Sequence, residues 1–181
     1  MTVTTNILNS NVPNSSSTIS VCCTRPLMFG ELSLHINEIE EEQLLENPAE
    51  QRCSVCGMNL VLQNHFVPIE LLGQGGFGRT FRVYDLETPG QSIREKNERV
   101  LKQLCPAQTL TESQLQQVTY LFEQEANILG KLKHEKIPQF FNYFAFSPPS
   151  DSRQTLPLAI DLNPSLCSTD YGTNCHTYNI E

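Results

Sequence analysis

The chain has 181 residues, with 20 acidic and 12 basic side chains, a formal net charge of −8 and 39% apolar residues. No basic excess is available to neutralise phosphates, which argues against nucleic acid as the main partner. No run of about 18 apolar residues occurs, so no helical membrane span is expected, and the first twenty residues lack the charged and apolar regions of a secretory signal.

The charge is unevenly placed. Residues 1–52 carry a net −5, residues 53–145 are neutral with nine acids and nine bases, and residues 146–181 carry a net −3. The neutral middle also holds the strongest periodic patterns and is expected to be the folded unit. The Ser/Thr/Asn-rich lead-in and the acid-rich stretch through residue 50 read as disordered or as an acidic linker. Within that stretch, Glu31 to Glu50 is also compatible with a short amphipathic helix.

In chain order, residues 51–62 contain a tight Cys53-Ser54-Val55-Cys56-Gly57 knuckle. Phe66 to Leu72 is short and apolar, as a strand requires. A glycine-dense loop follows. Thr80, Phe81, Val83 and Tyr84 predict a second strand, and Thr88-Pro89-Gly90 a turn. A third strand ends at Val100 and Leu101. Thr111 to Leu132 is the clearest helix, with Thr111 as N-cap and Gln114 completing a capping box. Its apolar stripe is Leu115, Val118, Phe122, Leu129 and Leu132. Glu125 falls within that stripe, and a buried carboxylate there needs a partner. The aromatic run from Ile137 to Phe146 predicts a fourth strand. Ser147-Pro148-Pro149-Ser150 breaks the pattern, and residues 147–181 read as a disordered tail.

Gly73-Gln74-Gly75-Gly76-Phe77-Gly78 fits G-x-G-x-x-G, which three phosphate sites share. Glycines let a backbone approach phosphates and adopt positive φ. A dinucleotide site and a P-loop both require a helix after the loop. The P-loop reading would use Arg79-Thr80 in place of Lys-Thr. A strand is expected here instead, which leaves a strand–loop–strand lid over ATP phosphates or an ordinary glycine hairpin. Lys102 at the end of the third strand and Glu125 on the next helix favour the lid, because that chemistry pairs a strand lysine with a helix glutamate to hold the α- and β-phosphates.

The stretch from about His65 to Phe146 resembles the start of a bacterial eukaryotic-type (Hanks-type) serine/threonine protein kinase. The resemblance rests on Ile69-Glu70-Leu71-Leu72-Gly73-Gln74-Gly75-Gly76-Phe77-Gly78-Arg79-Thr80-Phe81, Val100-Leu101-Lys102, Phe122-Glu123-Gln124-Glu125-Ala126, Leu129 to His134 and Ile137-Pro138. It implies an α+β fold, a small lobe of antiparallel sheet plus one helix, over residues 65–146. It also implies ATP as ligand, with Mg²⁺ carried by the nucleotide. Gly73, Gly75 and Gly78 would cover the phosphates together with Gln74, Gly76 and Phe77. Lys102 would contact them, Glu125 would position Lys102, and Leu72 and Thr80 would pack on the adenine.

The family's H-R-D-x-x-x-x-N and D-F-G motifs do not occur in the sequence. Asp161-Leu162-Asn163-Pro164-Ser165 is a chance likeness to part of the first. No catalytic residue is therefore expected, and the chain reads as a kinase lobe truncated near Ser147 and inactive alone.

The seven cysteines are Cys22, Cys23, Cys53, Cys56, Cys105, Cys167 and Cys175. Their odd number and irregular spacing argue against a secreted disulfide framework and for a cytoplasmic, reduced setting. Some bacterial kinases similar to this chain carry a cysteine-paired module before the kinase domain. Cys53 and Cys56 are candidate Zn²⁺ ligands with Cys22 or Cys23, and a degenerate, metal-free knuckle is the other reading. The alternative function is a non-catalytic, pseudokinase-like module in which a zinc knuckle binds a protein partner.

Overall fold

A computed structural model describes residues 17–25, 34–106, 110–137 and 139–145, and the backbone of residues 158–162. The elements in order are β1 (Thr18–Cys22), β2 (Ile36–Glu40), α1 (Glu41–Glu46), a 3₁₀ turn (Pro48–Glu50), β3 (Phe66–Gln74), β4 (Gly78–Asp85), a 3₁₀ turn (Ile93–Glu95), β5 (Asn97–Leu104), α2 (Glu112–Leu129), β6 (Phe140–Ala145) and β7 (Leu158–Leu162).

Strands β3 to β7 form one sheet in the order β3-β4-β5-β7-β6, and every neighbouring pair is antiparallel. The expected sheet-plus-helix lobe is present, and its four expected strands match β3, β4, β5 and β6. Strand β4 alternates strictly, with Arg79, Phe81, Val83 and Asp85 buried between half-exposed neighbours. That period of two gives the sheet two working faces. On one face Phe81, Val83 and Leu101 pack with Cys22, Leu62, Phe66 and Phe144. On the other, Leu104 packs against Phe122 and Ala126 of α2. Thr111 caps α2 through its hydroxyl and the Gln114 amide, with the reciprocal bond from the Thr111 amide to the Gln114 side chain.

Three expectations need correction. First, residues 17–25 and 34–50 are structured, where a disordered or acidic linker was expected for residues 1–50; the alternative of a short amphipathic helix within Glu31 to Glu50 corresponds to α1, which buries Leu44. Strand β1 pairs with β2 from Thr18↔Glu40 to Cys22↔Ile36. Ile19, Val21, Cys23, Ile39 and Leu44 share a core with Val67 and Ile93 of the 65–146 region. The reason is alternation: Thr18-Ile-Ser-Val buries every second residue, as does Ile36-Asn-Glu-Ile, so a polar composition conceals a half-buried hairpin. Part of the acidity is also used structurally. The Glu41 carboxylate accepts from the Ser17 hydroxyl and from the Ile93 amide.

Second, the 147–181 region is not all tail. Residues 158–162 form β7, inserted between β5 and β6, so the sheet extends past the 65–146 boundary. Asp161 and Leu162 lie in this strand, opposite Leu101 and Val100, which agrees with reading their likeness to a catalytic loop as chance. Residues 163–181, with Cys167 and Cys175, lie outside the described residues, as do residues 1–16, 26–33 and 146–157. Third, the α2 stripe is only partly buried. Phe122 and Ala126 are enclosed, whereas Leu132 lies beyond the helix and is exposed.

Candidate functional site: the glycine hairpin and its ion pair

Strands β3 and β4 place the glycine loop at the tip of a hairpin. Gly73 opposes Thr80, Gln74 opposes Arg79, and the Gly75 amide donates to the Gly78 carbonyl at 2.8 Å. The element after the loop is a strand, so the dinucleotide and P-loop readings do not hold. Positive φ is not how these glycines are used either. Among the described residues only Gly57 and Gly90 of the glycines have it.

The loop glycines instead divide by space. A Cβ on Gly73, Gly75 or Gly76 would meet nothing within 4 Å, whereas one on Gly78 would lie 2.7 Å from the Gln103 carbonyl oxygen. The first three leave room for a ligand to approach the backbone; Gly78 lets β4 lie close to β5. Phe77 sits exposed at the tip, and its carbonyl accepts from the Cys105 amide at 2.9 Å. Leu72 is 40% exposed.

Thr80 and Lys102 are directly opposite on β4 and β5, so their side chains share the α2 face of the sheet. Lys102 Nζ lies 2.6 and 2.7 Å from the two Glu125 carboxylate oxygens. Capping fixes the start of α2, and Phe122 and Ala126 fix its rotation. Glu125, three residues after Phe122, then faces the strand. The pair is about 35% and 40% exposed, so Glu125 is less buried than its place in the stripe suggested. At that exposure the ion pair adds at most about 1 kcal/mol to stability. Its effect is positional: it holds an ammonium group beside the open glycine hairpin.

Arg79 was the residue a P-loop would have aimed at phosphate. It points the other way. Arg79 is 1% exposed, and its guanidinium donates to the Thr24 carbonyl at 2.8 Å, the Arg25 carbonyl at 2.8 Å and Gln103 Oε1 at 3.0 Å. Burial pulls its pKa below the ordinary arginine value, with Cys105 and Cys23 opposing that shift. Gln103 Nε2 also donates to the Thr24 carbonyl at 2.9 Å. The hairpin exit is thereby tied to the chain just after β1.

The cysteine candidates separate cleanly. Cys22 faces the apolar core with Phe66 and Phe81, and burial raises its thiol pKa. Cys23, the residue just after β1, turns the other way and meets the knuckle. Its Sγ is 3.6 Å from Cys56 Sγ, and Cys53 Sγ is 3.5 Å from His35 Nδ1. Sequence reasoning missed His35. The only signal is the β1–β2 register, which sets Cys23 opposite His35 through the Cys23 amide and His35 carbonyl at 2.9 Å.

No protein-family model matches the sequence. Three curated relatives match, each named a serine/threonine-protein kinase. The chain is 35% identical over 129 residues to serine/threonine-protein kinase F of Synechocystis sp. (strain ATCC 27184 / PCC 6803 / Kazusa), covering 70% of this chain and 24% of the relative. It is 39% identical over 95 residues to serine/threonine-protein kinase B of the same strain, covering 52% of this chain and 16% of the relative. The chain thus spans about a quarter or less of the length of these relatives. Among solved structures, the kinase domain of PF14_0431 superposes with a TM-score of 0.40 at 18% identity, covering 57% of this chain and 25% of that one. Through the matched region the chain is homologous to serine/threonine protein kinases, and its sheet with helix α2 is a kinase-like small lobe.

Proposed function

We propose that this lobe binds ATP, with Mg²⁺ carried by the nucleotide, as the small lobe of a serine/threonine protein kinase does. The observation that carries the reading is the Lys102–Glu125 contact at 2.6 Å beneath the glycine hairpin. A free amine on a strand gains little from a half-exposed carboxylate, whereas an amine held in place can meet α- and β-phosphates as they arrive. The unobstructed backbone at Gly73, Gly75 and Gly76 supports the same reading, since amide groups can then approach phosphate oxygens. Thr80, beside Lys102 in register, and the exposed Leu72 supply apolar surface for the base.

The sequence contains no catalytic base or metal ligand in the H-R-D or D-F-G pattern. We therefore assign nucleotide holding to these residues and no phosphoryl transfer to the chain acting alone. A cytoplasmic location is part of the proposal. None of the five described cysteines is in a disulfide, which suits a reducing compartment. Among the described residues no helix is long and apolar enough to cross a membrane.

The test is a calorimetric and thermal-shift titration of the full chain with ATP and Mg²⁺, beside Lys102→Met. The expected result is saturable binding that Lys102→Met abolishes while the protein stays folded. A folded wild-type sample that shows no ATP-dependent shift overturns the proposal.

A further inference from the structure

We propose that Cys23, His35, Cys53 and Cys56 bind one Zn²⁺ ion as a closed structural site that clamps the β1–β2 hairpin to the kinase-like lobe. The four ligand atoms all lie within 4.8 Å of one another. Two come from the end of the β1–β2 hairpin and two from the knuckle, so the set joins two elements remote in sequence.

Two of the ligand-to-ligand distances match those of a tetrahedral zinc site. Sulfurs bound at about 2.3 Å stand about 3.8 Å apart, and a sulfur and an imidazole nitrogen about 3.6 Å apart. The structure has 3.6 Å for Cys23 Sγ to Cys56 Sγ and 3.5 Å for Cys53 Sγ to His35 Nδ1. Three thiolates and one imidazole are a soft, four-coordinate set suited to zinc and leave no open position for water.

The surroundings are built for a thiolate-rich centre. Gly57, at φ +72°, closes the knuckle, with its amide on the Cys53 carbonyl at 2.8 Å and the Cys53 amide on the Met58 carbonyl at 2.8 Å. Asn37 Nδ2 points at Cys53 Sγ at 3.6 Å. Asn37 is held by the Ser54 amide and hydroxyl, which donate to its Oδ1 at 2.9 and 3.0 Å. Such outer partners orient metal ligands. Cys23 and Cys53 are 1% and 3% exposed, whereas His35 and Cys56 are only partly buried, so the site is sheltered on one side and reachable by a metal ion on the other.

The position has a consequence for the lobe. Cys23 runs directly into Thr24 and Arg25, whose carbonyls receive Arg79, and Arg79 follows the last glycine of the hairpin. A metal on Cys23 therefore anchors the strut on which the hairpin exit rests.

The experiment uses the full chain purified under reducing conditions without chelator. Elemental analysis is expected to find about one zinc per chain, and X-ray absorption of the wild type about three sulfurs near 2.3 Å with one nitrogen near 2.0–2.1 Å. His35→Ala and Cys23→Ser should lose zinc to a competing chelator at least about tenfold faster than wild type, since even changes to the outer partners of metal ligands cost about 10–100-fold in affinity. Cys22→Ser, which removes the neighbouring thiol on the other face, should hold zinc as wild type does. Three results overturn the proposal: a folded wild-type chain without zinc even after loading, a shell of four light atoms, or a Cys23–Cys56 disulfide in the reduced preparation. Loss of zinc in Cys22→Ser equal to that in Cys23→Ser overturns the ligand assignment. The wild-type absorption measurement stands even if a variant does not fold.

Discussion

Adding one methyl group to the glycine hairpin should have opposite effects at two positions three residues apart. In Gly78→Ala the new Cβ would lie 2.7 Å from the Gln103 carbonyl oxygen. The usual carbon-to-oxygen approach between strands is about 3.3–3.6 Å, so β4 must move from β5 by about 0.6–0.9 Å. The obstacle is backbone and cannot rotate away. It also belongs to β5, which is paired on its other side, where Gln103 opposes Ala159. Strain of this kind costs about 1–3 kcal/mol. In Gly75→Ala the Cβ meets nothing within 4 Å and φ is not in the left-handed region. The loss of unfolded-state freedom then stabilises by about 0.4–1 kcal/mol. The assay is urea unfolding at 25 °C followed by far-UV circular dichroism, since the chain has no tryptophan. Gly78→Ala should lower the midpoint, and Gly75→Ala should leave it unchanged or raise it. Equal midpoints for the two variants would refute the reasoning, because both glycines would then serve only loop conformation. The contrast also isolates function. Any loss of ATP binding in Gly75→Ala cannot come from unfolding, and so reports phosphate contact at the loop.

Two further outcomes are expected. Leu44→Ala should destabilise the whole lobe by about 2–5 kcal/mol, because Leu44 is fully buried in the core shared by the β1–β2 hairpin, Val67 and Ile93. A single unfolding transition that shifts as a whole is the expected result, and an unshifted lobe transition would show that the hairpin is a separate appendage. Tyr143 should ionise late, since burial and then its hydrogen bond to Glu123 push its phenol up to about 12. A raised pKa in the folded state means stability that is intact below about pH 10 and is lost as pH rises toward 12. Ultraviolet titration of the phenolates tests this, and Tyr143→Phe should remove the late step.

Much of the lobe was legible because its signals are local. The β-branched and aromatic run of β4, the capping box at Thr111 and the stripe on α2 each involve residues a few positions apart. The Lys102–Glu125 contact was legible for a related reason. A carboxylate within an apolar helical face needs a cation, and the neighbouring strand ended in one. The half-exposure of that contact was not legible, because it depends on how closely α2 lies on the sheet.

The hairpin of residues 18–40 was concealed by its composition. Two short strands with Thr, Ser and Glu on the outer face, and a buried Asn37 on the inner one, look like linker until β3 offers a surface to bury that inner face. Strand β7 was concealed for a similar reason. A five-residue strand has no local mark that would insert it between β5 and β6.

The net charge of −8 and its distribution, the glycine loop between two strands, and the order glycine, lysine, glutamate follow from the sequence alone, because near neighbours and general chemistry determine them. Which faces of the sheet those residues occupy was decided by tertiary structure. So was the turning of Arg79 away from the loop toward Thr24 and Arg25. The choice of Cys23 over Cys22, and the meeting of His35 with Cys53, needed the register of one hairpin and its packing against another segment. Pairings across such separations are set by which surfaces can be buried together, and no short stretch of sequence records that.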